Sequence, residues 1–200
     1  MTDLAREVDP RVERSRRVIL SASLDLLGEV GYGGLTIEAV AARAGVGKST
    51  VYRHWSGKLE LIEDAIRTLK AVELPPDTGT VRERLTHLLR QIATAMSKST
   101  WANCLPAIID AADRDPEVRR IQHRLAAERQ DMLVALLAEG VTTGEVPASA
   151  NLQLLVECLV GPIILRRLLL HEPFDDAAVD QLVDQLLGPL RPATQPREPG

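Results

Sequence analysis

The sequence predicts an all-α protein of about nine helices, with a three-helix helix-turn-helix domain at the N-terminus and a larger helical domain after it. Apolar residues recur at three- and four-residue spacing along most of the chain, while glycine and proline cluster between these segments. The segment Thr36–Ala44 has helical spacing, and the sequence GVGKSTVYRHW of Gly45–Trp55 follows it directly. Together they predict two helices joined by a three-residue turn.

The first helix is predicted from about Pro10 to Val30, ended by the glycine-rich segment Gly31–Gly34. Thr36 is a good N-cap for the second helix, and Gly45 ends it. The apolar face of the first helix is predicted to consist of Val18, Ile19, Ala22, Leu26 and Leu27.

The third helix is predicted over Lys48–His54, and the fourth from Lys58 to about Val72. The segment Leu74–Thr80 contains two prolines and a glycine and should separate a domain at 10–72 from one at 80–190. The tails 1–9 and 192–200 are predicted to be disordered.

The second domain is predicted to contain five helices. Asp115 and Asp175 stand where helix caps are expected, and Pro116 suits a first helical position. The predicted ranges are about 80–98, 102–113, 116–140, 149–171 and 175–190.

Charge is distributed unevenly along the chain. The net charge is −4, but residues 11–58 carry eight Lys or Arg against four Asp or Glu, which gives +4. Residues 59–200 carry 15 basic and 21 acidic residues, which gives −6. A basic segment on an acidic body favours a nucleic-acid module attached to a domain with another role.

The segment Ala42–Ser49 also fits a loosened phosphate-loop pattern, which raises the hypothesis of a nucleotide hydrolase. That mechanism needs a β-strand before the loop, whereas Ile37, Val40 and Ala41 fall at helical spacing. No βαβ alternation follows, so the pattern disfavours nucleotide binding.

A helix-turn-helix explains the same residues. Val51 would point inward, and the start of the third helix would face base edges in the major groove of double-stranded DNA. Lys48, Ser49 and Thr50 are candidates for base or phosphate contacts. The alternative is a helical hairpin with a solvated polar face. Candidates for backbone contacts are Tyr52, Arg53, His54 and Lys58.

Residues 11–70 resemble the DNA-binding domain of the tetracycline-repressor (TetR) family. The resemblance rests on four motifs in order: Gly31-Tyr32-x-x-Leu35-Thr36, Val40-Ala-x-Arg-Ala-Gly-Val46, Lys48-x-Thr-Val-Tyr52-Arg-His-Trp55, and Lys58 with Leu59 and Leu61. The family implies an all-helical homodimer with phosphate contacts near Thr36, Tyr52 and Lys58. Gly47 stands where the family often has a small hydroxyl residue, which weakens the cap of the third helix and removes any side-chain contact from that position.

The family also implies a ligand cavity among helices four to eight and a dimer interface on the last two helices. Both of those helices are broadly apolar here, although either apolar stripe could instead be intramolecular core. Gly161-Pro162 predicts a kink that shapes the cavity, the interface or only the packing. The predicted interface residues are Leu155, Leu159, Ile163, Val179, Leu182, Val183 and Leu186.

The effector is predicted to be small and apolar. Only five aromatic residues occur in the chain, and only Trp101 and Phe174 lie beyond the predicted DNA module. An aliphatic pocket suits a flexible apolar compound better than a planar dye. The candidate pocket residues are Met96, Trp101, Cys104, Ile108 and Pro162.

Other functions find no support in the sequence. The four histidines lack metal-ligand spacing, no catalytic constellation is evident, and no cofactor is implied. Cys104 and Cys158 form no motif and suggest buried free thiols in a cytoplasmic protein without signal peptide or membrane span. The sequence therefore predicts a ligand-responsive dimeric repressor. The alternative is a helical ligand sensor that acts through a protein partner.

Overall fold

The computed structural model describes residues 10–68 and 78–188, which fold as nine α-helices and one π-helical segment without a strand in those ranges. No helix among these residues is long and apolar enough to cross a membrane. The helices are α1 Pro10–Gly34, α2 Ile37–Ala44, α3 Lys48–His54, α4 Lys58–Thr68, α5 Val81–Lys98, α6 Thr100–Arg114, α7 Pro116–Thr143, α8 Leu152–Leu165 and α9 Asp176–Leu187; the π segment is Arg166–Leu170.

The predicted boundaries of the first helices are confirmed by their caps. Gly31 interrupts α1 with φ 70°, a value that glycine adopts without steric cost. The Thr36 hydroxyl accepts a hydrogen bond from the backbone N–H of Ala39 at 3.1 Å. Gly45 ends α2 in the left-handed conformation, with φ 67° and ψ 32°. Each boundary therefore follows from local chemistry that the sequence already displays.

The first of two compact units contains the described residues up to 68 together with 98–126. Its centre is α1, which packs against α2, α4 and α6. Ile19 and Leu27 are completely buried there, as predicted. Val18 is an exception to the predicted apolar face, because 43% of it is exposed.

Helix α6 lies in this first unit, although the sequence analysis assigned its residues to the ligand-binding domain. The Cys104 thiol donates to the carbonyl oxygen of Leu24 on α1 at 3.2 Å. A Cβ at Gly28 would lie 3.6 Å from the Cβ of Asn103, so the two helices approach closely at this glycine. The contact was not foreseeable from the sequence, since it joins segments about 80 residues apart.

The second unit contains the described residues 78–97 and 127–188. The Glu145 carboxylate accepts hydrogen bonds from the backbone N–H groups of Val81 at 3.0 Å and Arg82 at 3.1 Å, and so caps the start of α5. Arg82 also pairs with Asp184 of α9 at 2.7 Å. The fully buried side chains of this unit include Leu85, Leu88, Leu89, Leu133, Leu137, Leu159 and Ile163.

The end of the predicted eighth helix differs from a regular α-helix. Helix α8 ends at Leu165, and Arg166–Leu170 are wound as a π-helix. His171 then adopts φ 56°, which is uncommon for a residue with a side chain. The predicted caps Asp115 and Asp175 both accept hydrogen bonds from the first turns that follow them. The predicted end of helix four, most of the linker and both tails lie outside the described residues.

Candidate nucleic-acid interface

A short turn fixes the direction of α3 relative to α2. The backbone N–H of Val46 donates to the carbonyl of Ala41 at 3.0 Å, and Gly47 then stands at the N-cap of α3. Because Gly47 has no side chain, it provides no side-chain cap for α3. Val51 is completely buried and anchors the inner side of α3. The outer side is therefore left for polar residues.

Most residues predicted to contact DNA are exposed in the structure. Half of Tyr52 is accessible, at 52%. Arg53 has no ion-pair partner within the described residues, so its charge is available to a phosphate. Thr36, Gly47, Lys48, Ser49, Tyr52 and Arg53 are exposed, while Thr50, His54 and Lys58 are half-buried.

Lys48 forms an ion pair with an acidic residue of the same chain. Its ammonium lies 2.9 Å from Oε1 of Glu38 in the first turn of α2, and both side chains are more than half exposed. The hydrogen bond from Lys48 is the main cause that lowers the pKa of Glu38, so this carboxylate is ionised at neutral pH. Sequence reasoning placed Lys48 in the contact row and missed Glu38, because the pair forms only when α2 and α3 fold together.

Lys58 also has a role within the protein. Its Nζ donates to the carbonyl of Tyr32 at 2.9 Å and lies 4.2 Å from the centre of the Tyr32 ring. Burial raises the pKa of Tyr32, with Asp115 and Glu117 adding to the rise. This contact holds the α1–α2 connection. Because an ammonium has three donors, Lys58 can still donate to a phosphate.

Asp64 fixes the end of α3. One of its carboxylate oxygens accepts from the indole N–H of Trp55 at 2.8 Å and from Arg16 at 2.5 Å. Trp55 is 2% exposed and stands at the C-cap of α3. The position of α3 therefore depends on α1 and α4 through one acidic residue that the sequence analysis did not single out.

Arg43 connects α2 to α1. Its guanidinium makes two hydrogen bonds to the Glu29 carboxylate, at 2.9 and 2.7 Å. This contact is the first cause that lowers the pKa of Glu29. A bidentate pair of this kind fixes orientation as well as charge.

A separate cleft of about 280 Å³ lies in the second unit. Met96, one of the predicted pocket residues, lines this cleft. Beside it, the Arg166 guanidinium lies 4.8 Å from the centre of the Phe174 ring. The other lining residues are Ala93, Ser97, Ile163, Arg167, His171, Glu172, Pro173 and Phe174.

The other predicted pocket residues are not brought to this cleft. Cys104 and Ile108 are buried in the first unit. Pro162 is half-buried in α8 and does not line the cleft. The side chain of Trp101 lies outside the described part of the structure.

Helix α8 has one buried and one exposed apolar face. Val156, Leu159 and Ile163 are buried against the rest of the second unit. Leu154 and Leu165 are 54% and 47% exposed, and Cys158 between them is also exposed. We call Leu154, Cys158 and Leu165 the outer α8 face.

The predicted interface residues divide accordingly, and the prediction needs correction for four of them. Leu159, Ile163, Val179 and Val183 are buried within the chain itself, since each is at most 1% exposed, and so belong to its core. The other three, Leu155, Leu182 and Leu186, are half-buried. The sequence alone does not separate the two faces, because α8 is apolar on nearly all sides.

The residues that the structure describes contain no cluster of potential metal ligands. No group of three or more His, Cys, Asp or Glu side chains there could hold a metal ion. Burial raises the pKa of the Cys104 thiol to about 11, which makes it a poor nucleophile at neutral pH.

Two family descriptions match the sequence. "Bacterial regulatory proteins, tetR family" matches residues 19–65, and "Tetracyclin repressor-like, C-terminal domain" matches residues 75–186. The first match covers the turn between α2 and α3, and the second covers the cleft and the outer α8 face.

Relatives of similar length support these matches. An uncharacterized HTH-type transcriptional regulator of Mycobacterium bovis is 33% identical over 187 residues, covering 92% of each chain. The DNA-binding transcriptional repressor TetR of Mycobacteroides abscessus is 31% identical over 183 residues, covering 88% of this chain and 94% of that one.

Solved structures show the same fold. A TetR family transcription regulator aligns with a TM-score of 0.65 and 33% identity, over 89% of this chain and 99% of that one. The transcriptional regulator FadR from Bacillus subtilis in complex with stearoyl-CoA aligns with a TM-score of 0.70 and 17% identity, over 87% and 99%.

Proposed function

This chain belongs to the tetR family of bacterial regulatory proteins, and on that premise we propose a specific mode of action for it. The family consists of helix-turn-helix transcriptional regulators, which bind DNA and are not enzymes. We infer that this member is a repressor that acts in the cytoplasm, binds a pseudo-palindromic operator as a homodimer, and is released by a small apolar effector. The domains 10–72 and 80–190 would divide DNA binding from effector binding and dimerisation.

The observation that carries the proposal is the polar outer row of α3. Lys48, Ser49, Tyr52 and Arg53 are exposed on one short helix whose opposite side is anchored by Val51. Lysine can donate to the O6 and N7 acceptors of guanine, while arginine and tyrosine can donate to phosphate oxygens. The row thus combines one residue suited to bases with neighbours suited to the backbone.

The outer α8 face supports the dimer. Leucines that are about half exposed along one helix lose water-accessible apolar area when a second copy covers them. Contact of this face with its own copy across a two-fold axis would produce the isologous interface typical of dimers. The two recognition helices would then enter successive major grooves.

The cleft supports an apolar effector. Ala93, Met96 and Ile163 provide aliphatic walls, while Arg167, His171 and Glu172 supply polar groups at the same cleft. Such a composition buries a flexible aliphatic body and orients a polar end. An effector that binds two states of the dimer unequally would lower operator affinity through that difference.

The DNA-binding proposal is tested by selecting duplexes from a random pool with the purified protein. Lys48→Ala is expected to reduce discrimination among the selected sequences. Arg53→Ala should weaken binding to all duplexes alike. The slope of the logarithm of the binding constant against the logarithm of the salt concentration should become shallower by about 0.9, the value for one phosphate contact. If both variants bind selected and random duplexes as the parent does, α3 is not the docking helix.

The effector proposal is tested by calorimetry with decanol and with the planar cationic dye ethidium. Decanol is expected to bind and ethidium to be inert. Ser97→Trp should block decanol because Ser97 lines the cleft, whereas Thr94→Trp, exposed on the same helix away from the lining, should not. Decanol binding that survives Ser97→Trp unchanged would place the effector elsewhere.

A further inference from the structure

We propose that the cleft of the second unit selects an aliphatic effector with one negatively charged end, such as a carboxylate, and that Arg167 binds that end. The inference rests on the proposed function and deepens it, because it names the polar end of the effector. It concerns ligand binding alone and makes no use of the DNA-contacting row of α3.

The backbone on one side of the cleft is irregular. Arg166–Leu170 are wound as a π-helix, and His171 ends this segment with φ 56°. His171 and the three residues after it all line the cleft. Single π-helical turns are frequent at functional sites, and costly backbone conformations cluster at ligand clamps. The irregular segment coincides with the cleft, which favours a role in binding.

The two arginines of the π segment have different surroundings. The Arg166 guanidinium lies 4.8 Å from the centre of the Phe174 ring and donates to the carbonyl of Pro173 at 3.4 Å. Arg167, one position further, lines the cleft and is half-buried, and its Nε atom is shielded from solvent. Arg166 therefore holds the wall in place, whereas Arg167 presents its guanidinium to a ligand in the cleft.

The polar groups of the cleft are mostly hydrogen-bond donors. The guanidinium of Arg167 has five N–H donors, no acceptor and a permanent charge, and the His171 ring has an N–H donor in either tautomer. Ser97 supplies no free donor, because its hydroxyl donates to the carbonyl oxygens of Ala93 and Thr94 at 3.1 Å. A negatively charged acceptor complements these groups better than a neutral or cationic end does.

Glu172 limits the charge that the cleft accepts. It lines the same cleft and is exposed, whereas Arg167 is half-buried. Water and salt screen an exposed charge more than a half-buried one, so for a single negative charge the attraction by Arg167 exceeds the repulsion by Glu172. A second negative charge on the ligand would add repulsion without a second guanidinium in the lining. The cleft therefore suits a carboxylate better than a phosphate dianion.

The buried part of the lining is aliphatic. Ala93, Met96 and Ile163 are at most 7% exposed, while His171 and Glu172 are exposed. The apolar wall therefore lies inside the cleft, and the polar side chains lie at its mouth. The volume of about 280 Å³ is close to the lower end of the range for ligand pockets. This combination suits one unbranched chain whose charged end faces the mouth.

Calorimetry of the full chain at neutral pH with three ligands of equal chain length tests the proposal. Decanoate is anionic, decanol is neutral and decylammonium is cationic. Decanoate is expected to bind about tenfold more tightly than decanol, the lower value for a hydrogen bond to a charged group. Decylammonium should bind more weakly than decanol. Ser97→Trp should block decanoate as well as decanol, because both occupy the cleft.

Variants assign the preference to Arg167. Arg167→Gln should lower the affinity for decanoate about tenfold and change the affinity for decanol little. Arg90→Gln is the matched control, since Arg90 lies on α5 outside the lining, pairs with Asp180 at 2.7 Å and alters the net charge equally. It should leave the ratio of the two affinities unchanged. Glu172→Gln should raise the affinity for decanoate alone, because it removes a like charge.

A charge-preserving variant and thermal melting exclude a general structural effect. Arg167→Lys keeps the charge and loses the planar fork, so its affinity for decanoate should lie between those of the wild type and Arg167→Gln. Melting without ligand shows whether each variant is folded at the temperature of the titration.

Several outcomes would overturn the proposal. Equal affinities of the wild type for decanoate and decanol would remove the selection for an anion and leave the apolar effector in place. An equal loss of both ligands in a folded Arg167→Gln would reduce Arg167 to a part of the wall. Decanoate binding that survives Ser97→Trp would place the carboxylate at another site. If neither ligand binds the wild type, the apolar effector of the proposed function fails together with this proposal.

Discussion

Asp64 fixes the end of α3 through a single carboxylate oxygen. That oxygen accepts from the buried indole of Trp55 and from Arg16. In Asp64→Ala the indole N–H is left without its acceptor, and we expect a loss of about 1–3 kcal/mol in the free energy of unfolding. Affinity for selected DNA should fall as well, because α3 loses its fixed end.

Chemical denaturation and DNA titration of the same sample measure both effects. Asp64→Asn keeps an acceptor for the indole and loses the charge that pairs with Arg16, so it should retain most of the stability. Wild-type stability in Asp64→Ala would show that water or another group satisfies Trp55.

The buried thiol of Cys104 gives a pH dependence with a defined sign. Its pKa is raised to about 11 in the folded protein by burial, from an ordinary value of 9.0. Between these values the unfolded chain releases the proton and the folded chain keeps it. The free energy of unfolding should therefore fall as pH rises from about 9 towards 11.

Denaturation at pH 8, 9 and 10 tests this dependence against Cys104→Ala as the control. The variant should be less stable at pH 8, because a cavity remains, and its stability should fall less steeply above pH 9. Parallel pH profiles would assign the alkaline loss to other groups.

Residue by residue, the sequence predicted contacts that are local and missed those that need packing. The cap at Thr36 and the stop at Gly45 depend on neighbours within one turn, so the pattern alone contains them. The hydrogen bond from Lys58 to Tyr32 spans 26 residues and depends on how α4 meets the end of α1. The acceptor role of Asp64 depends likewise on α1, α3 and α4 together.

At the scale of elements, helix α8 shows why hydrophobic periodicity was not sufficient to predict which face of a helix is buried. Its 14 residues are apolar on almost every side, so the sequence could not say which face is core. Packing decides this, with Leu159 inward and Leu154 outward. The π segment after it was also missed, because a helical period fitted to 3.6 residues does not detect one wider turn.

Helix α6 shows that the limits of a helix can be predicted when its packing partner cannot. Its limits were predicted within two residues, but its partner α1 was not, since the linker before α5 suggested a clean division of the chain. Helix limits follow from local signals, whereas the choice of partner follows from shape complementarity between distant segments.

For the whole molecule, the proposed dimer makes operator affinity depend on α8, far along the chain from the residues proposed to contact DNA. Leu165→Glu places a charge on the outer α8 face, where burial against a second copy would cost more than it gains. We expect this variant to fold as a monomer and to bind a single half-site like the parent. Its affinity for a complete operator should fall roughly a hundredfold, because the second half-site no longer benefits from linkage.

Sedimentation equilibrium and titration with full and half operators measure this separation. Ala135→Glu adds the same charge at an exposed position of α7 and should leave both assembly and binding unchanged. Cys158 provides an independent readout, since a thiol reagent should reach it faster in Leu165→Glu than in the dimer. If Leu165→Glu still sediments as a dimer and protects Cys158, the subunits meet on another surface, and the spacing of the recognition helices must be set there.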